Sequence, residues 1–170
     1  MRINTMIDEY RRLLRLAERD KKMIKDKLTK LDRRRTMTLQ KRIHEFHDEV
    51  FAEVDCLKCG NCCREVGPRI IEPDIVRIAK DQNMKKNTYI AHTMVSDEDG
   101  DWVFKDCPPC PYLGENNFCH IYDVRPRACK DYPHTKDRDI HKRLKRLAID
   151  TQYCPAAYLI VNKIIEEFKP

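Results

Sequence analysis

Neither glycine nor proline occurs before Gly60, and the whole chain of 170 residues has only four glycines, Gly60, Gly67, Gly100 and Gly114. Their scatter excludes a G-x-G-x-x-G turn or a P-loop, so no glycine-built phosphate cradle is present. Also missing is any run approaching the roughly 18 to 20 apolar residues needed to span a bilayer. The mean hydropathy of −0.72 agrees, and no membrane association is expected. Residues 1 to 12 contain no apolar h-region and no small-residue cleavage site, which leads to the expectation of a cytoplasmic chain without a secretory signal. In a reducing compartment, disulfides do not account for nine cysteines.

What is present is charge and sulfur. The chain is 41% hydrophobic and 36% charged, enough for one modest core with an appendage. Residues 1 to 50 hold 15 basic and 9 acidic side chains, so the whole formal excess of +6 sits in this cysteine-free segment. Residues 124 to 146 are again basic, with nine Lys/Arg against three Asp, whereas 51 to 123 are acidic. Eight ionised cysteines around two divalent ions or two [4Fe–4S]²⁺ clusters would add a net charge of about −4. The pI of 8.8 is therefore no argument for nucleic acid, which is not expected as a partner. The basic stretch Lys142, Arg143, Lys145, Arg146 lacks interleaved aromatics and reads as solvated surface.

Residues 1 to 54 have a helical period. Ile3, Ile7, Tyr10, Leu14, Ala17, Lys21, Ile24, Leu28 and Leu31 alternate at spacings of four and three, and eight of these nine are apolar or aromatic. A second stripe, Leu39, Ile43, Phe46, Val50 and Val54, follows the polar stretch Asp32 to Thr36. One long bent helix or an antiparallel helical hairpin fits, packed on itself or in a dimer, and this arm is where an unknown protein partner would dock. From Cys56 onward Gly, Pro and Asn appear among the cysteines, the chemistry of loops. Pro73 predicts a helix over about 73 to 82, and Thr93–Val95 with Trp102–Phe104 flank an acidic turn and predict a small hairpin. Ile140, Leu144, Leu147 and Ala148 suit an amphipathic helix, and Pro155 opens a last one. The expected fold is mainly α: a helical N-terminal arm or hairpin (1–54) and a small cysteine-rich metal-binding domain with one short β-hairpin (55–170).

The strongest chemical signal is Cys56-Leu-Lys-Cys59-Gly60-Asn-Cys62-Cys63. Two-residue gaps let sulfurs of one short loop converge on an ion or cluster, because the loop folds back and turns its N–H groups toward the thiolates. The adjacent pair Cys62-Cys63 is awkward for a single tetrahedral ion, since neighbouring side chains diverge. Further thiols follow at Cys107, Cys110, Cys119, Cys129 and Cys154. Cys107-Pro-Pro-Cys110 has the spacing of a dithiol redox motif, but its prolines and the lack of a βαβ pattern around it argue against that use.

These residues resemble the CxxCxxCC family, the YkgJ-type cysteine-cluster proteins regarded as zinc- or iron-chelating domains. Three blocks carry the resemblance: Cys56 to Arg64; Cys110-Pro-Tyr-Leu113 with Cys119-His-Ile-Tyr122; and Arg125-Pro-Arg-Ala-Cys129-Lys-Asp-Tyr-Pro133. Cys154-Pro155 completes it. The resemblance implies eight metal ligands, Cys56, Cys59, Cys62, Cys63, Cys110, Cys119, Cys129 and Cys154, and leaves Cys107 as a non-ligand or substitute thiol. Lys130 stands where Arg is usual in the family, and Tyr132 where Phe is frequent. A flagellin lysine methylase resembles the family through the same block, though no S-adenosylmethionine loop is readable here.

Thiolate ligands suit both zinc and iron–sulfur clusters. The run Cys56-x2-Cys59-x2-Cys62 with a distant Cys154-Pro155 echoes the ferredoxin pattern, so an iron–sulfur cluster is favoured over zinc, and the expected work is redox or electron transfer. Two other classes use the same residues: a zinc-stabilised interaction module without catalysis, and a protein-modifying enzyme such as a methylase or oxidoreductase. Arg64, Arg125 and Lys130 flank the thiols and are expected to neutralise a negative cofactor. His120 and His134 are the histidines placed to substitute as ligands, whereas His44 and His47 share a helix face read as solvated.

Overall fold

With no glycine or proline to interrupt it, the N-terminal stretch folds as one long helix, α1 (Arg2–Asp32), followed by α2 (Met37–Phe51). The computed structural model describes residues 2–33 and 36–169, with side chains from residue 6. The side chain of Ile3, and Arg34 and Arg35 between the two stripes, lie outside the described residues. Then come α3 (Cys56–Cys59), α4 (Asn61–Glu65), α5 (Glu72–Asp81), α6 (Lys86–Thr93), β1 (Met94–Ser96) and β2 (Trp102–Phe104). The chain ends with α7 (Arg127–Asp131), α8 (Leu144–Asp150) and α9 (Pro155–Phe168). The mainly helical fold with one small hairpin is the one expected. Among the described residues no helix is long and apolar enough to cross a membrane.

The chain forms two compact units, residues 1–59 with 133–170, and residues 60–132. This division differs from the 1–54 and 55–170 segments separated on sequence, and the reason is burial. An apolar stripe on a helix has to be covered, and the stripe of α1 is covered by α8 and α9 while that of α2 is covered by α9. Tyr10, Ala17, Ile24, Leu28 and Leu31 are buried as spaced, as are all five members of the second stripe. Leu13 is buried while Leu14 is only half-buried, and Lys21 is exposed. The shift follows from α1 meeting two helices, which needs a wider face than one seam. Central to the unit is α9, opened by Pro155 and fully burying Ala156, Ala157, Ile160, Val161 and Ile164. The Tyr158 hydroxyl donates to Asp20 at 2.8 Å and ties α9 to α1.

The unit of residues 60–132 has its own core of Ile75, Ile78, Tyr89, Met94, Phe104 and Ile121. Its hairpin pairs Met94 with Phe104, Val95 with Val103 and Ser96 with Trp102. At the tip, Asp97 accepts N–H groups from Asp99 and Asp101 at 3.0 and 2.8 Å, and Arg69 pairs with the acidic side chains there.

Candidate metal centre

All nine cysteines are free thiols, and both units carry some of them. In the helical unit, Cys56 and Cys59 sit at the two ends of α3. Asp55 starts this turn: its carbonyl accepts the N–H groups of Lys58 and Cys59 at 3.1 and 3.2 Å, and its carboxylate accepts that of Leu57 at 2.9 Å. The buried Tyr10 of α1 accepts the Asp55 N–H at 3.1 Å, so the longest helix anchors the first two thiols. Cys154 is the N-cap of α9, and its sulfur accepts the Ala157 N–H at 3.5 Å. Burial pushes the Cys154 thiol up; the N–H groups of Ala157 and Ala156 pull it down, and nearby Cys56 and Cys59 add to the rise.

Between α3 and α4 stands Gly60, with φ at 60° in the left-handed region that favours glycine. A Cβ there would sit 3.1 Å from Asn117 Cβ and 3.3 Å from the Arg64 guanidinium, so both backbone and space require glycine. The turn separates Cys59 from Cys62, and the boundary between the compact units falls here, inside the cysteine motif. Instead of diverging, the adjacent Cys62 and Cys63 are joined by a side-chain hydrogen bond. That bond, opposed by burial and aided by Arg64 and Arg125, holds the Cys63 thiol below its ordinary range.

Cys63 is tied to the next block through its carbonyl, which accepts the Cys110 N–H at 2.7 Å. The Cys110 thiol is pushed up to about 12, chiefly by burial; the Tyr112 N–H opposes this, and Cys63, Cys107 and Cys119 reinforce it. Cys119 bridges to Leu113 across a turn closed by the Gly114 N–H on the Phe118 carbonyl at 2.8 Å. Burial raises the Cys119 thiol against a hydrogen bond from the Ile121 N–H. Cys129 lies on α7, where burial raises its thiol, with Cys63, Cys110 and Cys119 adding to the rise and Arg125 opposing it. Cys110, Cys119 and Cys154 thus each receive a backbone N–H from two or three residues ahead, the local geometry expected of metal-binding loops.

A family model named CxxCxxCC, described as a "putative zinc- or iron-chelating domain", matches residues 55–155. The chain belongs to the CxxCxxCC family. No curated protein and no solved structure matches it. The CxxCxxCC match takes in every cysteine and ends on the Cys154–Pro155 opening of α9, while α1 and α2 lie outside it. Among the described residues no three or more His, Cys, Asp or Glu side chains close into a group that could hold a metal ion, so the thiols are described as donors and not as a finished coordination shell. Their chemistry fits the group: soft sulfur donors, most of them half-buried and several facing N–H groups or a guanidinium, suit zinc and iron–sulfur clusters alike.

The flanking cations take different places. The Arg125 guanidinium stacks 3.8 Å over the Tyr122 ring, donates to the Tyr122 carbonyl at 2.7 Å and acts on Cys63, Cys119 and Cys129. Arg64 bonds to Asn117 and influences Cys63. Lys130 is exposed on α7. His120 is also exposed, its ring against Phe118, and His134 lies in the helical unit beside Asp137. His44 and His47, read as a solvated face, bond to the Asp137 carbonyl and the Thr135 hydroxyl at 3.1 and 2.7 Å.

Two carboxylates that position the CxxCxxCC thiols escaped the sequence reading. One is Asp55, described above. The other is Asp74 of α5, only 2% exposed. Its Oδ2 accepts the Arg127 N–H at 3.1 Å at the start of α7, and its Oδ1 accepts Arg77 at 2.6 Å. Arg77 in turn donates to the Val124 and Arg125 carbonyls at 3.3 and 2.8 Å, so one ion pair fixes the segment bearing Arg125 and Cys129. In sequence, Glu72-Pro73-Asp74 signals only a helix start.

Proposed function

We propose that the chain binds iron as an iron–sulfur cluster through its cysteine thiolates and works in electron transfer or metal-dependent redox chemistry. The supporting observation is the surroundings of Cys63, Cys110, Cys119 and Cys129: half-buried thiols, two of them receiving backbone N–H donors, with Arg125 acting on three of the four. N–H groups and a guanidinium near sulfur stabilise the ionised, metal-binding form and lower the cost of a net negative group. An iron–sulfur cluster, when bound, supplies one-electron chemistry at a potential set by hydrogen bonds, burial and charge. The ligands proposed are the eight family cysteines, with Arg125 and Arg64 supplying charge compensation and Asp74, Arg77 and Asp55 holding the donor loops in place.

The test is the visible spectrum of protein purified without oxygen, before and after dithionite. A brown protein with a broad sulfur-to-iron band that bleaches on reduction is expected. A colourless, zinc-loaded protein indifferent to dithionite would contradict the redox assignment and favour a structural zinc site.

A further inference from the structure

Seven of the nine thiols sort into two sets, each confined to one compact unit; Cys62, bonded to Cys63, and Cys107, which acts on Cys110, belong to the 60–132 unit beside the first set. Within residues 60–132, Cys63 lies within electrostatic reach of Cys110, Cys119 and Cys129, and these last three act on one another. Their segments are fastened together by the Cys110 N–H on the Cys63 carbonyl at 2.7 Å, the Leu113–Cys119 bridge and the Asp74 cap on α7. Cys110 and Cys119 also pack against the same apolar core, around Ile75, Tyr89 and Phe104. In the helical unit, Cys154 is within reach of Cys56 and Cys59, and Cys59 and Cys154 pack against the other core. Chain order does not show this division, since the sets part between Cys59 and Cys62 in the middle of the CxxCxxCC run and Cys154 rejoins the first set from the far end.

We propose that the chain carries two metal centres: one made by Cys63, Cys110, Cys119 and Cys129 of the 60–132 unit, the other built on Cys56, Cys59 and Cys154 of the helical unit. The proposal rests on the metal-binding reading above and deepens it. The first set offers four thiol donors from one unit, the number that both tetrahedral zinc and cubane clusters take, which would close on the metal as it binds. Arg125 acts on three of those four sulfurs and belongs to the same unit.

The experiment compares metal per chain, by elemental analysis on protein purified without oxygen, in the unaltered chain, Cys119→Ser, Cys56→Ser and the double variant. Cys56 is exposed, so its replacement opens no cavity in the core. Each single variant is expected to keep about half of the metal and the double variant almost none. Loss of all metal in a folded single variant, judged by far-ultraviolet circular dichroism, would overturn the division. Where a variant fails to fold, titration of the metal-free unaltered chain with Co(II) decides: the thiolate-to-cobalt band should grow to about two equivalents, and saturation at one would overturn the proposal. An unaltered chain that neither contains metal nor binds Co(II) would instead remove the functional reading itself.

Discussion

Asp74 shows how much a single buried carboxylate can organise. Removing it leaves the Arg127 N–H and part of the Arg77 guanidinium without their acceptor, and an unsatisfied buried group costs on the order of 1 to 3 kcal/mol. Asp74→Ala should lower stability by that amount in urea unfolding and reduce metal uptake together, because α7 carries Cys129. Arg125 acts differently, through charge. Arg125→Gln should leave the helical content unchanged and weaken metal retention roughly 10- to 100-fold in a chelator competition, the usual effect of removing a group that supports the ligands.

His47 gives a pH dependence. Burial first, then Lys136 and His44, hold its ring below the ordinary value, with Asp48 opposing. The Thr135 hydroxyl and the Phe51 ring also face it. The unfolded chain therefore binds a proton at this ring that the folded chain does not. The stability this contributes is complete above the unfolded value of about 6.5 and is lost as pH falls through the lower folded value. The melting temperature should fall as the pH drops from about 6.5 toward the lower folded value, and His47→Gln should flatten the slope there. An equally steep fall in the variant would show that another group is responsible.

At the scale of elements, α9 carries most of what the helical unit needs. Ile160 is fully buried where α1, α2 and α8 surround this helix, and Ile160→Ala should cost about 2 to 5 kcal/mol. Ile149 on α8 is 51% exposed, and Ile149→Ala should stay within about 0.5 kcal/mol. Equilibrium unfolding of the pair checks both values. Most elements were legible in the sequence, because Pro73 and Pro155 mark helix starts and the acidic tip marks the hairpin. The stripe of α2 was read without error, whereas on α1 Leu13 replaced Leu14 because periodicity assumes one neighbouring helix and α1 has two. That α8 and α9 would cover the N-terminal helices was not legible, since helical period says that a face must be buried but not by which partner.

For the whole molecule, the cysteine spacing was sufficient to read a metal-binding domain, and the family match over residues 55–155 agrees. The division of the thiols between two compact units was hidden, because it depends on Gly60 turning the chain inside the motif and on Cys154 returning at the head of α9. Asp55 and Asp74 were hidden for a related reason: their acceptor roles exist only once the chain has folded around them. Tyr89 and Tyr112 join hydroxyls at 2.8 Å beside Cys110, where they complete the packing of the 60–132 unit around its thiols. The central claim is that these thiolates hold iron with sulfide. It is tested most directly by assaying iron, zinc and acid-labile sulfide per chain on one sample purified without oxygen. Iron and sulfide in near-equal amounts with little zinc is the expected result, and stoichiometric zinc without sulfide would contradict it.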